Sequence, residues 1–176
     1  MIKIVPLASV DADAVEALLD TAFGADRRAR TAYKLRTGVK ALPALSFAAL
    51  HGDRLVGSLQ SWPVALLEAG GAVSSITLVG PVAVSPLVQR GGIGKTLMTA
   101  MLEAADREGH DALLMIGDPE YYERFFGFTA SATQQWDLPG PFERHRLLAR
   151  ITREGGLPSV GHVIPDPAFA SLPISA

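Results

Sequence analysis

Three closely spaced glycines, Gly91, Gly92 and Gly94, follow a short β-branched segment and precede a helical pattern. Glycine lets the chain turn tightly and lets backbone N–H groups approach a ligand closely. A helix that begins near Gly94 directs the positive end of its dipole toward the same point. The sequence therefore predicts an anion-binding loop, with the pyrophosphate of coenzyme A or the phosphates of a nucleotide as its ligand.

The nucleotide alternative depends on Gly94, Lys95 and Thr96, which match the end of a Walker A loop. That motif also needs a glycine five residues before Gly94, where this chain has Gln89. An apolar segment that ends at Asp118 resembles the strand with which such enzymes hold magnesium. A nucleotide-binding phosphotransferase of the P-loop type therefore stays open as a second hypothesis.

The glycine-rich segment also resembles the signature of the GNAT acyltransferase family: Gln or Arg, two residues, Gly, one residue, then Gly or Ala. This family places the loop after a Val-x-Val-x-Pro strand end and follows it with a helix, a buried strand and a helix closing in Gly-Phe. The chain shows these features in order over roughly residues 1–152. The matching positions are Val82, Val84 and Pro86 before the loop and Gln89, Gly92 and Gly94 within it.

The composition bounds the possible classes of protein. A chain of 176 residues that is 48% hydrophobic suits one domain whose core needs no metal or disulfide. It contains no cysteine, and its four histidines lack metal-ligand spacing, so we predict no metal site. The net charge of −2 disfavours nucleic-acid binding. With no apolar segment of membrane-spanning length and no signal peptide, we expect a cytoplasmic protein without a membrane partner.

The apolar patterning predicts a mixed α/β fold. We expect strands over residues 2–7, 45–50, 55–62, 63–69, 76–84, 112–116, 128–138 and 146–152. We expect helices from Asp11 or Asp13 to Phe23, from Arg27 to Arg36, from Gly94 to Gly109 and from Pro119 to Gly127. The resemblance implies the GNAT fold, a mostly antiparallel sheet flanked by helices, with a parallel, splayed strand pair at the cofactor site.

The predicted domain organisation is an acetyltransferase domain over residues 1–152 and a C-terminal tail over 153–176 that packs on the same domain. Four prolines in the tail, Pro158, Pro165, Pro167 and Pro173, argue against regular structure there. Its apolar residues argue against a free linker.

The resemblance implies acetyl-CoA as the acyl donor. Backbone groups of the strand end would bond the pantetheine arm, and N–H groups of the loop would bind the pyrophosphate. The predicted cofactor-binding residues are Val82, Ala83, Val84, Gln89, Arg90, Gly91, Gly92, Ile93, Gly94 and Lys95.

The resemblance also implies that an amine attacks the thioester directly and that a tyrosine gives a proton to the departing thiolate. Tyr122 is the predicted acid and Tyr121 the reserve candidate. The family places this tyrosine four residues before the closing glycine, whereas Tyr122 lies five before Gly127. A bulge or an altered helix end would absorb the extra residue. The alternative role of Tyr122 is an aromatic core contact.

The acceptor is predicted to be a primary amine on a small molecule or a polypeptide. Arg27, Arg28 and Arg30 could recognise an acidic acceptor, although a solvated helix face is favoured for them. Trp62 and Trp136 suit either an acceptor cleft or the core.

No general base is evident from the sequence. Asp118 and Glu120 are favoured as a helix cap and a first-turn carboxylate rather than as bases. A third hypothesis is a coenzyme A-binding protein without catalysis. A homodimer is possible for this family.

Overall fold

The computed structural model describes residues 1–88 and 91–171, which contain eight strands and four α-helices. The strands are β1 Ile2–Pro6, β2 Phe47–His51, β3 Arg54–Leu67, β4 Val73–Val84, β5 Ala112–Ile116, β6 Gln135–Asp137, β7 Leu147–Ile151 and β8 Val160–Pro165. The α-helices are α1 Ala12–Phe23, α2 Thr31–Lys34, α3 Ile93–Glu108 and α4 Pro119–Phe126.

The strands form one mixed sheet. Its order is β1-β2-β3-β4-β5-β7, and β8 pairs with both β3 and β6. The pairs β1–β2, β2–β3, β3–β8 and β5–β7 are antiparallel. The pairs β4–β5 and β6–β8 are parallel. A helix between two parallel strands is the usual crossover, so the placement of α3 between β4 and β5 follows from chain geometry. This architecture confirms the predicted α/β fold class.

The chain divides into two compact units, of which the first comprises Met1–Ala29, Ala41–Ser61 and Val79–His110. Its helix α1 begins at Asp11, whose side chain accepts a hydrogen bond from the Asp13 N–H at 3.3 Å. The apolar side of α1 packs on strand residues Leu55 and Ala83. The predicted helix from Asp11 to Phe23 is therefore confirmed.

The second unit comprises Arg30–Lys40, Trp62–Leu78 and the chain from Asp111 onward. Strand β5 lies in its core, with Ala112 to Met115 all buried. It pairs in parallel with β4, Thr77 opposite Leu113. A strand that is buried on both faces has a continuous apolar sequence, and this pattern is what predicted β5.

Two predicted strands on either side of Pro63 are in fact one continuous strand, β3. Proline normally interrupts a ladder because it has no N–H to donate. Here the Pro63 carbonyl accepts the Asp166 N–H at 3.2 Å, so the position still bonds to a neighbouring segment. The prediction of two strands, 55–62 and 63–69, was therefore wrong.

The tail contains regular structure, which the sequence did not predict. Strand β8 pairs with β3, Val64 opposite Pro165, and with β6, Gln135 opposite Val160. The prolines lie before this strand, at its last residue or after it, so they remove no donor from its interior.

The predicted strand over residues 128–138 is reduced to β6 and a single bridge between Thr129 and Ala149. Between them, the Thr133 hydroxyl donates to the Leu147 carbonyl at 2.6 Å. A side chain thus satisfies a carbonyl of the neighbouring strand β7, and the backbone is free to leave the ladder.

Candidate functional site

The loop after β4 is anchored at its first residue. The Ser85 N–H donates to the Val56 carbonyl of β3 at 2.8 Å. The chain then turns tightly, with the Val88 N–H on the Ser85 carbonyl at 3.0 Å and the Gly91 N–H on the Val88 carbonyl at 3.2 Å. The Gly91 N–H is therefore already bonded within the loop. The predicted cofactor residues Gln89 and Arg90 lie outside the described residues.

Helix α3 begins directly after Gly92, which has a left-handed conformation with φ 68°. A β-carbon on Gly92 would meet nothing within 4 Å, so the backbone conformation and not space favours glycine here. The first bond of the helix runs from the Thr96 N–H to the Gly92 carbonyl at 3.0 Å. The N–H groups of Ile93 and Gly94 precede that bond and point out of the helix end, where an anion would bind them.

The end of β4 lies beside this helix start. Ala83 is buried against α1, whereas Val82 and Val84 are half-buried. A β-carbon on Gly94 would lie 3.8 Å from Val84 Cγ2. The structure therefore brings together the strand and helix segments of the predicted cofactor site.

A glycine that the sequence analysis missed sets the position of α3. A β-carbon on Gly57 of β3 would lie 2.8 Å from Ile93 Cγ2, 3.1 Å from Leu97 Cδ1 and 3.3 Å from the Ala49 Cβ. Ile93 is fully buried at this contact. An isolated glycine inside a predicted strand indicates that another element packs closely on it, and Gly57 is such a glycine.

Two of the side chains that the nucleotide alternative requires, Thr96 and Asp118, have structural roles. The Thr96 hydroxyl donates to the Gly92 carbonyl at 3.1 Å, within the first turn of α3. The Asp118 carboxylate accepts the Glu120 N–H at 3.1 Å and caps α4. The predicted cap role of Asp118 is confirmed.

Tyr122 lies on α4 in a group of aromatic rings. Its ring centroid is 4.9 Å from that of Tyr121, edge-on, 6.2 Å from Phe126 and 6.5 Å from Phe128. A β-carbon on Gly117 would lie 2.6 Å from Tyr122 Cε2, so the phenol ring rests directly on the Gly117 backbone. The aromatic contact expected for Tyr122 is therefore present, and it fixes the ring.

The surroundings of Tyr122 change its acidity. Burial raises the pKa of Tyr122 to about 12, with further upward contributions from Tyr121 and the Asp118 carboxylate and a downward one from the Arg146 guanidinium. The hydroxyl is therefore protonated throughout the neutral range. That protonation state is the one a proton donor needs.

Helix α4 closes with a wider turn than α3. In α3, the His110 N–H bonds to the Ala105 carbonyl, five residues back, at 2.8 Å. In α4, the Phe128 N–H bonds to the Tyr122 carbonyl, six residues back, at 3.2 Å, around the left-handed Gly127. The final turn of α4 therefore holds one more residue than the usual glycine-capped end. An altered helix end is one of the two ways in which the extra residue between Tyr122 and Gly127 could be absorbed, and the catalytic placement of Tyr122 stays a prediction.

The arginine-rich segment forms the predicted solvated face only at Arg28 and Arg30, which are exposed, whereas Arg27 is buried. It consists of a 3₁₀ turn at Arg27–Ala29 followed by α2. The Arg27 side chain is 1% exposed and forms ion pairs with Glu16 and, at 2.8 Å, with Asp20 of α1. Arg27 therefore fastens this turn to α1.

Replacing Arg27 by alanine is expected to lower the free energy of unfolding by about 3 kcal/mol, because two carboxylates would lose a buried partner. Its neighbour Arg28 also pairs with Glu16, at 2.7 Å, but its side chain is 59% exposed. The control Arg28→Ala should change the same quantity by less than about 0.5 kcal/mol. Urea denaturation of both variants measures the difference, and equal losses would contradict the assignment of Arg27 as the buried anchor.

The two tryptophans differ in their surroundings. Trp136 is fully buried in the core of the second unit, and its indole N–H donates to the Pro158 carbonyl at 2.9 Å. Trp62 is only partly buried, and the Arg36 guanidinium lies 4.3 Å from its ring centroid. Trp136 is thus a core residue.

Within 1–88 and 91–171, no group of three or more histidine, aspartate or glutamate side chains could hold a metal ion. Over the same ranges, every helix is too short or too polar to cross a membrane.

Comparisons with known proteins agree with the sequence resemblance. A family model described as an acetyltransferase (GNAT) domain matches residues 3–130. Among curated proteins, no match reaches significance.

Several solved structures share the fold. A GNAT family N-acetyltransferase (YhbS) from Escherichia coli in complex with CoA is 22% identical over 96% of this chain and 91% of that one, with a TM-score of 0.70. A GNAT family acetyltransferase from Brucella melitensis in complex with acetyl-CoA is 26% identical over 96% of this chain and 98% of that one, with a TM-score of 0.67. The protein PH1933 from Pyrococcus horikoshii is 20% identical over 88% of this chain and 100% of that one, with a TM-score of 0.58.

Proposed function

This chain belongs to the GNAT acetyltransferase family, and on that premise we propose that it transfers the acetyl group of acetyl-CoA to a primary amine of a small molecule or a polypeptide. The observation that carries the proposal is the segment from the end of β4 to the first turn of α3. There a strand end, a left-handed glycine and outward-pointing N–H groups adjoin one another. The two relatives crystallised with CoA and acetyl-CoA support the choice of cofactor.

We propose a backbone-built donor site. The main chain of Val82–Val84 would bond the pantetheine arm, and the first-turn N–H groups of α3 would bind the pyrophosphate. The further loop residues proposed for this site are Gln89, Arg90, Gly91 and Gly92 before α3 and Ile93, Gly94 and Lys95 within it. Because the Gly91 N–H already donates to the Val88 carbonyl, Gly91 would favour the loop conformation rather than donate a hydrogen bond to the cofactor.

The proposed reaction needs no covalent enzyme intermediate. The neutral amine nitrogen attacks the acetyl carbonyl carbon, and a tetrahedral oxyanion forms. When it collapses, the C–S bond breaks and its electron pair leaves with sulfur as the CoA thiolate. Tyr122 gives that thiolate its phenolic proton, and the proton lost by the new amide nitrogen goes to water. Tyr122 then recovers a proton from solvent.

Calorimetric titration with acetyl-CoA, and separately with ATP and magnesium, tests the donor assignment. Micromolar binding of acetyl-CoA, about −8 kcal/mol, and no binding of ATP is the expected result. Release of free CoA thiol across a panel of primary amines then tests transfer. Binding of ATP alone would overturn the proposal, and binding of acetyl-CoA without turnover on any amine would favour a non-catalytic CoA-binding protein.

Replacing Lys95 by alanine is expected to raise the Kd for acetyl-CoA by less than about fivefold, because backbone groups would supply most of the anion binding. Calorimetry on this variant, beside the exposed-lysine control Lys40→Ala, checks the result. Abolished ligand binding in Lys95→Ala alone would instead be the behaviour of a Walker lysine.

Three further predictions accompany this proposal. The acetyltransferase domain is taken as residues 1–152, and residues 153–176 as a tail on the same domain. A homodimer is the proposed oligomeric state.

A further inference from the structure

Gly117 and Arg146 are joined by two hydrogen bonds within the second unit. The Gly117 N–H donates to the Arg146 carbonyl at 3.0 Å, which extends the β5–β7 ladder one step beyond Ile116 opposite Leu147. In return, the Arg146 side-chain Nε donates to the Gly117 carbonyl at 3.3 Å. The Gly117 peptide is therefore held by both the backbone and the side chain of one residue.

This peptide is the surface on which the Tyr122 ring rests. With the β-carbon position of Gly117 only 2.6 Å from Tyr122 Cε2, a small displacement of Gly117 would displace the phenol ring. The other rings around Tyr122 belong to α4 and the residue that follows its cap. Arg146 therefore acts on the surroundings of Tyr122 from a different element of the chain, the 3₁₀ turn Arg144–Arg146 directly before β7.

Proton donation by Tyr122 would leave a phenolate in unfavourable surroundings. The groups that act on its charge are Tyr121 and Asp118 on α4 and its cap, which raise the pKa together with burial, and Arg146, which lowers it. An alkyl thiol titrates near ~8.5, so a phenol with a pKa of about 12 is a weak acid toward a thiolate. The positive charge of Arg146, which lowers the pKa of Tyr122, improves the match in acidity because it stabilises the phenolate that forms.

We propose that Arg146 is a positioning residue for Tyr122, which fixes the peptide under the phenol ring and stabilises the phenolate electrostatically. The catalytic meaning of this role rests on the proposed function. The effect of Arg146 on the titration of Tyr122 does not rest on that function, because the titration can be measured without substrate.

The first experiment titrates the hydroxyl directly. Incorporation of difluorotyrosine at position 122 lowers the phenol pKa into a range where the protein stays folded, and phenolate absorbance reports the titration. Arg146→Gln should raise the apparent pKa by about 0.5, and Arg146→Lys should raise it by less because the positive charge stays. Arg150→Gln, on the strand β7 that follows Arg146, is the control and should leave the titration unchanged. An identical titration in the parent protein and Arg146→Gln would overturn the proposal.

The second experiment measures acetyl transfer in a double-mutant cycle. Arg146→Gln should lower kcat about threefold to fivefold with little change in KM for acetyl-CoA. In a Tyr122→Phe background the same change should have no effect, because the group through which Arg146 acts is gone. Arg146→Lys should recover part of the loss. A loss of equal size in both backgrounds would overturn the proposal.

The two experiments test the proposed acetyltransferase function and the role of Arg146 separately. If the titration shifts as expected but no variant and no parent protein turns over any amine, the proposed acetyltransferase function fails and the effect of Arg146 on Tyr122 stands. If acetyl transfer occurs but the titration is unmoved, the function stands and the role of Arg146 fails.

Discussion

Replacing Tyr122 by phenylalanine is expected to lower kcat for acetyl transfer by about 100-fold, with KM for acetyl-CoA changed by less than about twofold. The substitution removes only the hydroxyl. The ring contacts with Gly117 and Phe128, which hold this position, are kept. Steady-state release of CoA thiol measures the effect, and circular dichroism with thermal unfolding checks that the fold is intact.

The matched control for this prediction is Tyr121→Phe. Tyr121 is the neighbouring tyrosine on α4, and it is less buried than Tyr122, although burial also raises its pKa. Its variant should retain most of the parent kcat. If Tyr121→Phe shows the large loss and Tyr122→Phe does not, the reserve candidate is the acid. If neither shows it, water or another group protonates the thiolate.

The acidity of Tyr122 also predicts the pH dependence. Because burial raises its pKa from 10.0 to about 12, the hydroxyl stays protonated through the range in which amine acceptors lose their protons. We therefore expect kcat to rise with pH up to about 10 without an alkaline decline due to this tyrosine. The folded state holds this proton more tightly than the unfolded state, so its contribution to stability is complete below pH 10 and is lost as pH rises through about 12.

Features fixed by local sequence were predicted well. Asp11 and Asp118 cap their helices, and Gly109 and Gly127 end theirs in the left-handed conformation, because each depends on a few neighbouring residues. The buried strand β5 was found from its continuous apolar run for the same reason.

Features fixed by distant residues were not predicted. Strand β8 exists because β3 and β6 offer it partners from far away in the chain, which its own proline-rich sequence does not reveal. The burial of Arg27 depends on Glu16 and Asp20 one helix earlier, and arginines next to one another otherwise indicate an exposed face.

The spacing between Tyr122 and Gly127 depends both on local sequence and on contacts with residues elsewhere in the chain. Tyr122 lies one residue farther from Gly127 than the family spacing, and an altered helix end was predicted as one way to accommodate that residue. Only the structure shows which carbonyl the closing N–H groups reach, since the choice between adjacent acceptors depends on how Phe128 packs after the cap. The packing of the Tyr122 ring on the Gly117 backbone likewise could not be predicted from the residue spacing.

Replacing Gly57 by alanine is expected to raise the Kd for acetyl-CoA about tenfold and to lower the free energy of unfolding by about 1–3 kcal/mol. The new methyl carbon would lie 2.8 Å from Ile93 Cγ2, closer than two carbon atoms can approach. Ile93 is the first residue of α3 and is fully buried, so it has no open space to enter. The helix start must therefore move away from β3, and the first-turn N–H groups proposed to bind the pyrophosphate move with it.

Gly70→Ala is the control for this prediction, because it makes the same chemical change at a glycine with ordinary φ and no atom within 4 Å of the new methyl group. Calorimetry with acetyl-CoA and urea denaturation should show little change in that variant. If Gly57→Ala loses stability but binds acetyl-CoA as the parent does, the position of the α3 start is not what binds the donor, and the proposed backbone site is wrong. If the Kd for acetyl-CoA rises and the free energy of unfolding falls while Gly70→Ala is unchanged, the close packing of α3 on β3 at Gly57 is required for donor binding.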